Sequence, residues 1–114
     1  HQEALELAQR GLKIAPDYFD LVDTRGVVYY RLGEFEKAAE DFRRCITFGP
    51  STTPPSVATR FYLAKALGEL GEDTQAIAQF HEALKLQARI GGLSRADLLH
   101  AQRLLKQLQE GNQI

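Results

Sequence analysis

The chain has 114 residues, 25% of them charged and 44% hydrophobic, with a formal net charge of −1. That is ordinary for one globular unit, and it lacks the basic balance or basic stripe that nucleic-acid binding wants. No apolar run approaches the roughly 18 residues of a membrane span, and a single cysteine, Cys45, excludes an internal disulfide framework or a multi-cysteine zinc site.

In chain order, the first periodic segment covers residues 2–15, with Leu5, Ala8, Leu12 and Ile14 set to pack on a neighbour. Residues 20–32 carry the next helical pattern, and Gly33 is its natural stop. Residues 35–48 follow and end at Gly49-Pro50. Thr53-Pro54-Pro55-Ser56 reads as a loop, because a residue before proline is pushed out of helical geometry. Ser56 is then placed to cap a helix over 57–70. Gly71 ends that helix, and its partner covers 73–89. Gly91-Gly92 makes a turn into a last helix at 95–109, opened by a capping-box-like pair, Ser94 and Asp97. Leu98, Ala101, Leu105 and Leu108 share one face of it, opposite Arg95, Gln102, Arg103, Lys106 and Glu110. One apolar and one wet face describe a helix that covers the end of a stack. The tail Gly111–Ile114 is expected to fray.

These helices repeat. Ala4, Ala38 and Ala76 coincide when three stretches are aligned, as do Ala8, Phe42 and Phe80, and Ile14, Phe48 and Leu86. The first step is 34 residues and the second 38, and a fixed period in this range marks a stacked repeat protein. The correspondence extends to Gly26 with Ala64, Tyr29 with Leu67, and Gly33 with Gly71. The expected fold is all-α: antiparallel helix pairs in a right-handed superhelix with a C-terminal capping helix. Residues 1–114 read as one domain. It comprises the second helix of a partial repeat (2–15), two repeats (19–52 and 57–90) and the capping helix (94–109). A start halfway through a repeat suggests a piece of a longer array.

The chain resembles the tetratricopeptide repeat family through Gly26, Tyr29, Gly33, Ala38, Phe42 and Pro50, then Ala64, Leu67, Gly71, Ala76, Phe80 and Ala83. It departs from that family at Arg25, where leucine is usual, and at Ala88, where a closing proline is usual. The resemblance implies a concave groove lined by the first helix of each pair. The matching positions are Asp23, Val27, Tyr30 and Arg31, then Phe61, Lys65, Gly68 and Glu69. Aromatic residues and arginine are enriched at binding hot spots, which favours Tyr30 and Arg31 ahead of Phe61 and Lys65. The adjacent Phe61 and Tyr62 cannot both occupy one narrow buried stripe, and the competing reading packs these rings against the last helix or neighbouring repeats. The chaperone-tail clamp of some relatives is not expected, because only Lys65 fits it.

Catalysis finds little support. His1, His81 and His100 are scattered without metal-ligand spacing, and Cys45 stands where the repeat wants a small buried residue. No cofactor and no metal is expected. Acidic residues at helix starts, such as Glu34 and Glu72, are accounted for by the helix dipole. The expected function is therefore capture of a protein or peptide partner in the groove, with neither nucleic acid nor membrane. The alternative is a structural spacer, or a segment that self-associates through its uncovered N-terminal helix.

Overall fold

The computed structural model describes residues 1–50 and 52–111. Among these residues six helices follow one another: α1 (Gln2–Ile14), α2 (Phe19–Arg31), α3 (Phe35–Phe48), α4 (Pro54–Glu69), α5 (Asp73–Ile90) and α6 (Arg95–Gly111). The fold is all-helical and tetratricopeptide-like. The strongest packing is within the pairs α2–α3 and α4–α5, with α3 on α4, α1 on α2 and α5 on α6 joining them in a row. The resulting body measures 46 × 29 × 23 Å. The expected fraying beyond Gly111 concerns Asn112–Ile114, which lie outside the described residues.

Two helix ends are built identically. Gly33 and Gly71 adopt φ of 80° and 77°, a region open to glycine at little cost. The N–H of Gly33 donates to the Tyr30 carbonyl and that of Glu34 to the Tyr29 carbonyl; Gly71 and Glu72 repeat this onto Gly68 and Leu67. These paired bonds satisfy the carbonyls that a helix end leaves open. Each pair of helices is thus reversed by the same turn.

The start of α4 corrects the sequence reading. Pro54 and Pro55 are not loop residues but the first helical ones, after an extended Thr53. A proline there sacrifices nothing, since the first N–H groups of a helix have no internal partner. Ser56 is accordingly not the cap; it is buried, and its Oγ donates to the Thr53 carbonyl at 2.6 Å. At α6 the expected start holds in part: Ser94 Oγ accepts from the Asp97 N–H at 3.1 Å. With alanine at 88, α5 continues to Ile90.

The core is small-against-large packing. Ala38, Ala64 and Ala76 are fully buried, as are Phe42 and Phe61, and Phe80 is nearly so. A β-carbon on Gly26 would come within 2.7 Å of Phe42 Cε1, so glycine is what lets α2 and α3 approach. In α1, Leu5, Ala8 and Leu12 are buried as expected, but Ile14 is 88% exposed.

Arg25 fills its unusual position with a polar device. Its Nε and Nη2 donate to the two carboxylate oxygens of Asp41 at 2.9 and 2.7 Å. The planar guanidinium matches a carboxylate in this two-pronged manner, tying α2 to α3. Asp41 is buried, and Arg25 is largely covered. The carboxylate raises the Arg25 pKa further above its ordinary value, so the pair stays ionic. Arg25→Leu leaves the Asp41 carboxylate without its partner, with an expected loss of about 2 kcal/mol in urea unfolding. Adding Asp41→Leu should recover most of that loss. A single substitution as stable as the parent would show that the pair contributes nothing.

Candidate partner-binding surface

The groove positions lie on α2 and α4, which run side by side and touch. Both are first helices of a pair, so their outer faces are not covered by their own partners. The structure gathers some of the expected residues and separates others.

Tyr30 and Lys65 come together. Tyr30 is half-buried near the end of α2, its ring meeting Phe35 edge-on at 5.3 Å and Tyr62 edge-on at 5.9 Å. Lys65, one turn beyond Phe61 and Tyr62 on α4, folds back over them. Its Nζ stands 4.9 Å from the Tyr30 ring centroid, 4.6 Å from Phe61 and 4.5 Å from Tyr62. All three distances fall within the range in which a ring face attracts a cation. The walls are inclined, at 75° between Tyr30 and Tyr62 and 60° between Phe61 and Tyr62. The cation is therefore enclosed on several sides.

Electrostatics follow from this enclosure. Burial lowers the Lys65 pKa from the ordinary lysine value; Asp97 on α6 opposes that shift and Arg31 adds to it. Burial also raises the Tyr30 phenol, helped by Glu69. Arg31 and Glu69 are exposed at the rim, one of each sign. Gly68 leaves open space beside them, since a β-carbon there would meet nothing within 4 Å.

Phe61 lies deeper than Tyr30 and Lys65. It is fully buried, packed at 6.3 Å from the Phe80 ring and 5.9 Å from His100. Of the adjacent pair, Phe61 turns toward α5 and α6. Tyr62 instead lies half-buried between Phe42, stacked at 5.8 Å, and Tyr30. The phenol explains the choice, because a buried tyrosine hydroxyl needs a partner and a phenylalanine edge does not. Tyr62 is thus the outer member of the pair. Its spacing of three residues from Lys65, with Phe61 at four, was a legible sign that both rings flank that side chain.

Val27 is partly buried against the core formed by Ala38, Phe42 and Leu67. Asp23 lies apart from the aromatic group. Its Oδ1 accepts from the Thr59 hydroxyl at 2.8 Å, and burial raises its pKa. It lines a cleft of about 200 Å³ with Phe19, Asp20, Cys45, Pro55 and Thr59. The expected positions therefore divide into an acidic end and an aromatic end.

Among the described residues, no group of three or more His, Cys, Asp or Glu side chains could hold a metal ion. Nor is any of their helices long and apolar enough to cross a membrane. His81 is exposed on α5 and pairs with Gln109 of α6 at 3.1 Å.

Fold and geometry together define a helical-repeat protein. Residues 20–51, which span α2 and α3, match the family model of the tetratricopeptide repeat. This segment is similar to a tetratricopeptide repeat, and α4–α5 has the same helix–turn–helix plan outside the matched residues. Such repeats are in general protein–protein interaction modules and typically non-catalytic. No curated protein matches the chain.

Cys45 is buried at 7% exposure, with its thiol 3.5 Å from the Phe19 carbonyl. Burial pushes its pKa from the ordinary 9.0 up to about 12, and the acidic neighbours Asp23 and Asp41 add to the shift. A thiol held protonated is a poor nucleophile. The folded protein should react with iodoacetamide at pH 8 about a hundredfold more slowly than the urea-unfolded chain. The folded pKa lies above the unfolded one, so this group's contribution to stability is complete below pH 9.0 and lost as pH rises toward about 12. Cys45→Ala should lack that alkaline loss; equal alkylation rates in the two states would contradict the burial argument.

Proposed function

We propose that the chain binds a protein or extended peptide along the face formed by α2 and α4, and carries no chemistry of its own. The observation that carries this reading is the meeting of Tyr30, Tyr62 and Lys65 across two helices, rimmed by exposed Arg31 and Glu69. Tyrosine and arginine are the residues that most often anchor interfaces, and a half-buried ring loses little freedom on binding. Asp23 and Val27 extend the same face toward the start of α2, where Asp23 supplies negative charge. Phe61 lies beneath this face, with Lys65 Nζ over its ring in the unbound chain.

A peptide library displayed on phage tests this without a known partner. Peptides enriched on the parent protein should lose about tenfold or more in affinity on Arg31→Ala and on Tyr30→Ala, with helical circular dichroism unchanged. Full retention of binding by both variants would remove α2 from the contact surface.

A second reading is favoured by α1. Leu7 and Ile14 are 60% and 88% exposed on that helix, and exposed apolar surface of this kind invites association. In this reading a second copy covers the α1 face, making the segment a self-associating spacer. Sedimentation should then show a concentration-dependent dimer that Leu7→Ser with Ile14→Ser dissolves. A strict monomer at every concentration would exclude it.

A further inference from the structure

The aromatic enclosure on α2 and α4 already holds an ammonium, and the chemistry of that occupant describes what the enclosure selects. Three rings face Lys65 Nζ at 4.5–4.9 Å from two different helices. Among the described residues no hydrogen bond or ion pair takes up its three N–H donors. An ordinary ammonium gives up bonds to water on entering such a space, and ring faces return attraction to its charge but accept hydrogen bonds only weakly. The lowered pKa of Lys65 reports that deficit. An ammonium whose hydrogens are replaced by methyl groups has no such bonds to lose, keeps its charge and adds apolar surface.

We propose that Tyr30, Phe61 and Tyr62 form a recognition box for a methylated lysine of a partner protein, which Lys65 occupies in the unbound state. This rests on reading α2 and α4 as the partner-facing surface. Charge supports the choice: Asp97 and Glu69 act on the box from α6 and from the end of α4. Arg31 is the opposing cation, which disfavours a second cation unless Lys65 leaves. Lys65 is tethered by a flexible four-carbon stem, so it competes as an internal ligand at high effective concentration. With Lys65 in place Phe61 is fully covered, and Lys65 Nζ lies over its ring, so the proposal requires Lys65 to swing out before Phe61 can meet the partner.

The test removes the internal competitor. Lys65→Ala is titrated with acetyl-glycyl-trimethyllysyl-glycinamide, its unmethylated counterpart, tetramethylammonium chloride and sodium chloride. Ring-proton shifts of Tyr30, Phe61 and Tyr62 are followed by NMR. The trimethylated peptide should bind Lys65→Ala about tenfold more tightly than it binds the parent, and about tenfold more tightly than the unmethylated peptide does. Adding Tyr62→Leu should abolish the difference. Lys65→Gln, which keeps most of the stem without the charge, carries the same comparison should Lys65→Ala lose its helical signal. Ring shifts no larger than those given by sodium chloride overturn the proposal, as does equal binding of the two peptides. Binding of tetramethylammonium without preference for the trimethylated peptide also overturns it, since the box would then take small cations rather than a side chain. If library peptides remain dependent on Arg31 while the box stays silent, the partner-facing surface stands and only its ligand chemistry falls.

Discussion

The ring of Phe42 occupies the space that a β-carbon on Gly26 would need, and the spacing of α2 against α3 follows from that contact. Tyr62 of α4 stacks on the same ring at 5.8 Å. Phe61 leans on Tyr62 at 5.7 Å, and Phe80 and His100 lean on Phe61. A continuous line of rings therefore runs from the first helix pair to the last helix. Each ring is held by a small residue opposite it or by its neighbour in the line. Such interiors pack like organic crystals, so a shift at one end is not absorbed locally. The position of Tyr30 and Tyr62 on the outer face is set by the same packing that holds the core.

This explains why the proposed partner-facing surface is half-buried. Tyr62 has one face on Phe42 and the other side toward Tyr30, so it belongs to core and surface together. A surface built this way is preorganised: its rings would lose little freedom on binding a partner. The cation is the mobile part. Lys65 is held by ring faces rather than by a salt bridge, and those attractions are individually modest.

The repeat was legible because its causes are local. Gly33 and Gly71 end helices by backbone conformation alone, and Ala38, Ala64 and Ala76 mark close approach by size alone. Residues of that kind announce themselves at fixed spacing. The start of α4 was misread because the rule for a residue before proline was applied without its companion, that proline suits a first helical turn. Thr53 obeys the first rule and Pro54 the second. Phe61 and Tyr62 were harder. Adjacent positions on a helix point about 100° apart, and periodicity alone allows either ring to be the buried one. The arbiter is α6, which brings His100 to Phe61 from almost 40 residues away. Pairing of Arg25 with Asp41 was equally hidden, because the departure from leucine was visible and its compensation on another helix was not.

The last helix does more than cover an end. Leu105 and Ala101 bury against Phe61, Ala64 and Phe80, which gives α6 a firm seat. That seat brings Asp97 close enough to act on Lys65, on a different helix, and favours the charged form that burial disfavours. Without α6, Phe61 would lose the His100 contact and Lys65 its acidic neighbour together. The ring that closes the enclosure from beneath and the acid that steadies its cation thus share one dependence. The charge of Lys65 is therefore supported from α6, through packing that the repeat positions themselves do not contain. An α2–α3 pair alone would keep the turn at Gly33 and the Gly26–Phe42 contact. It would lack two of the three rings and the cation, so the surface belongs to the stack and not to any single repeat.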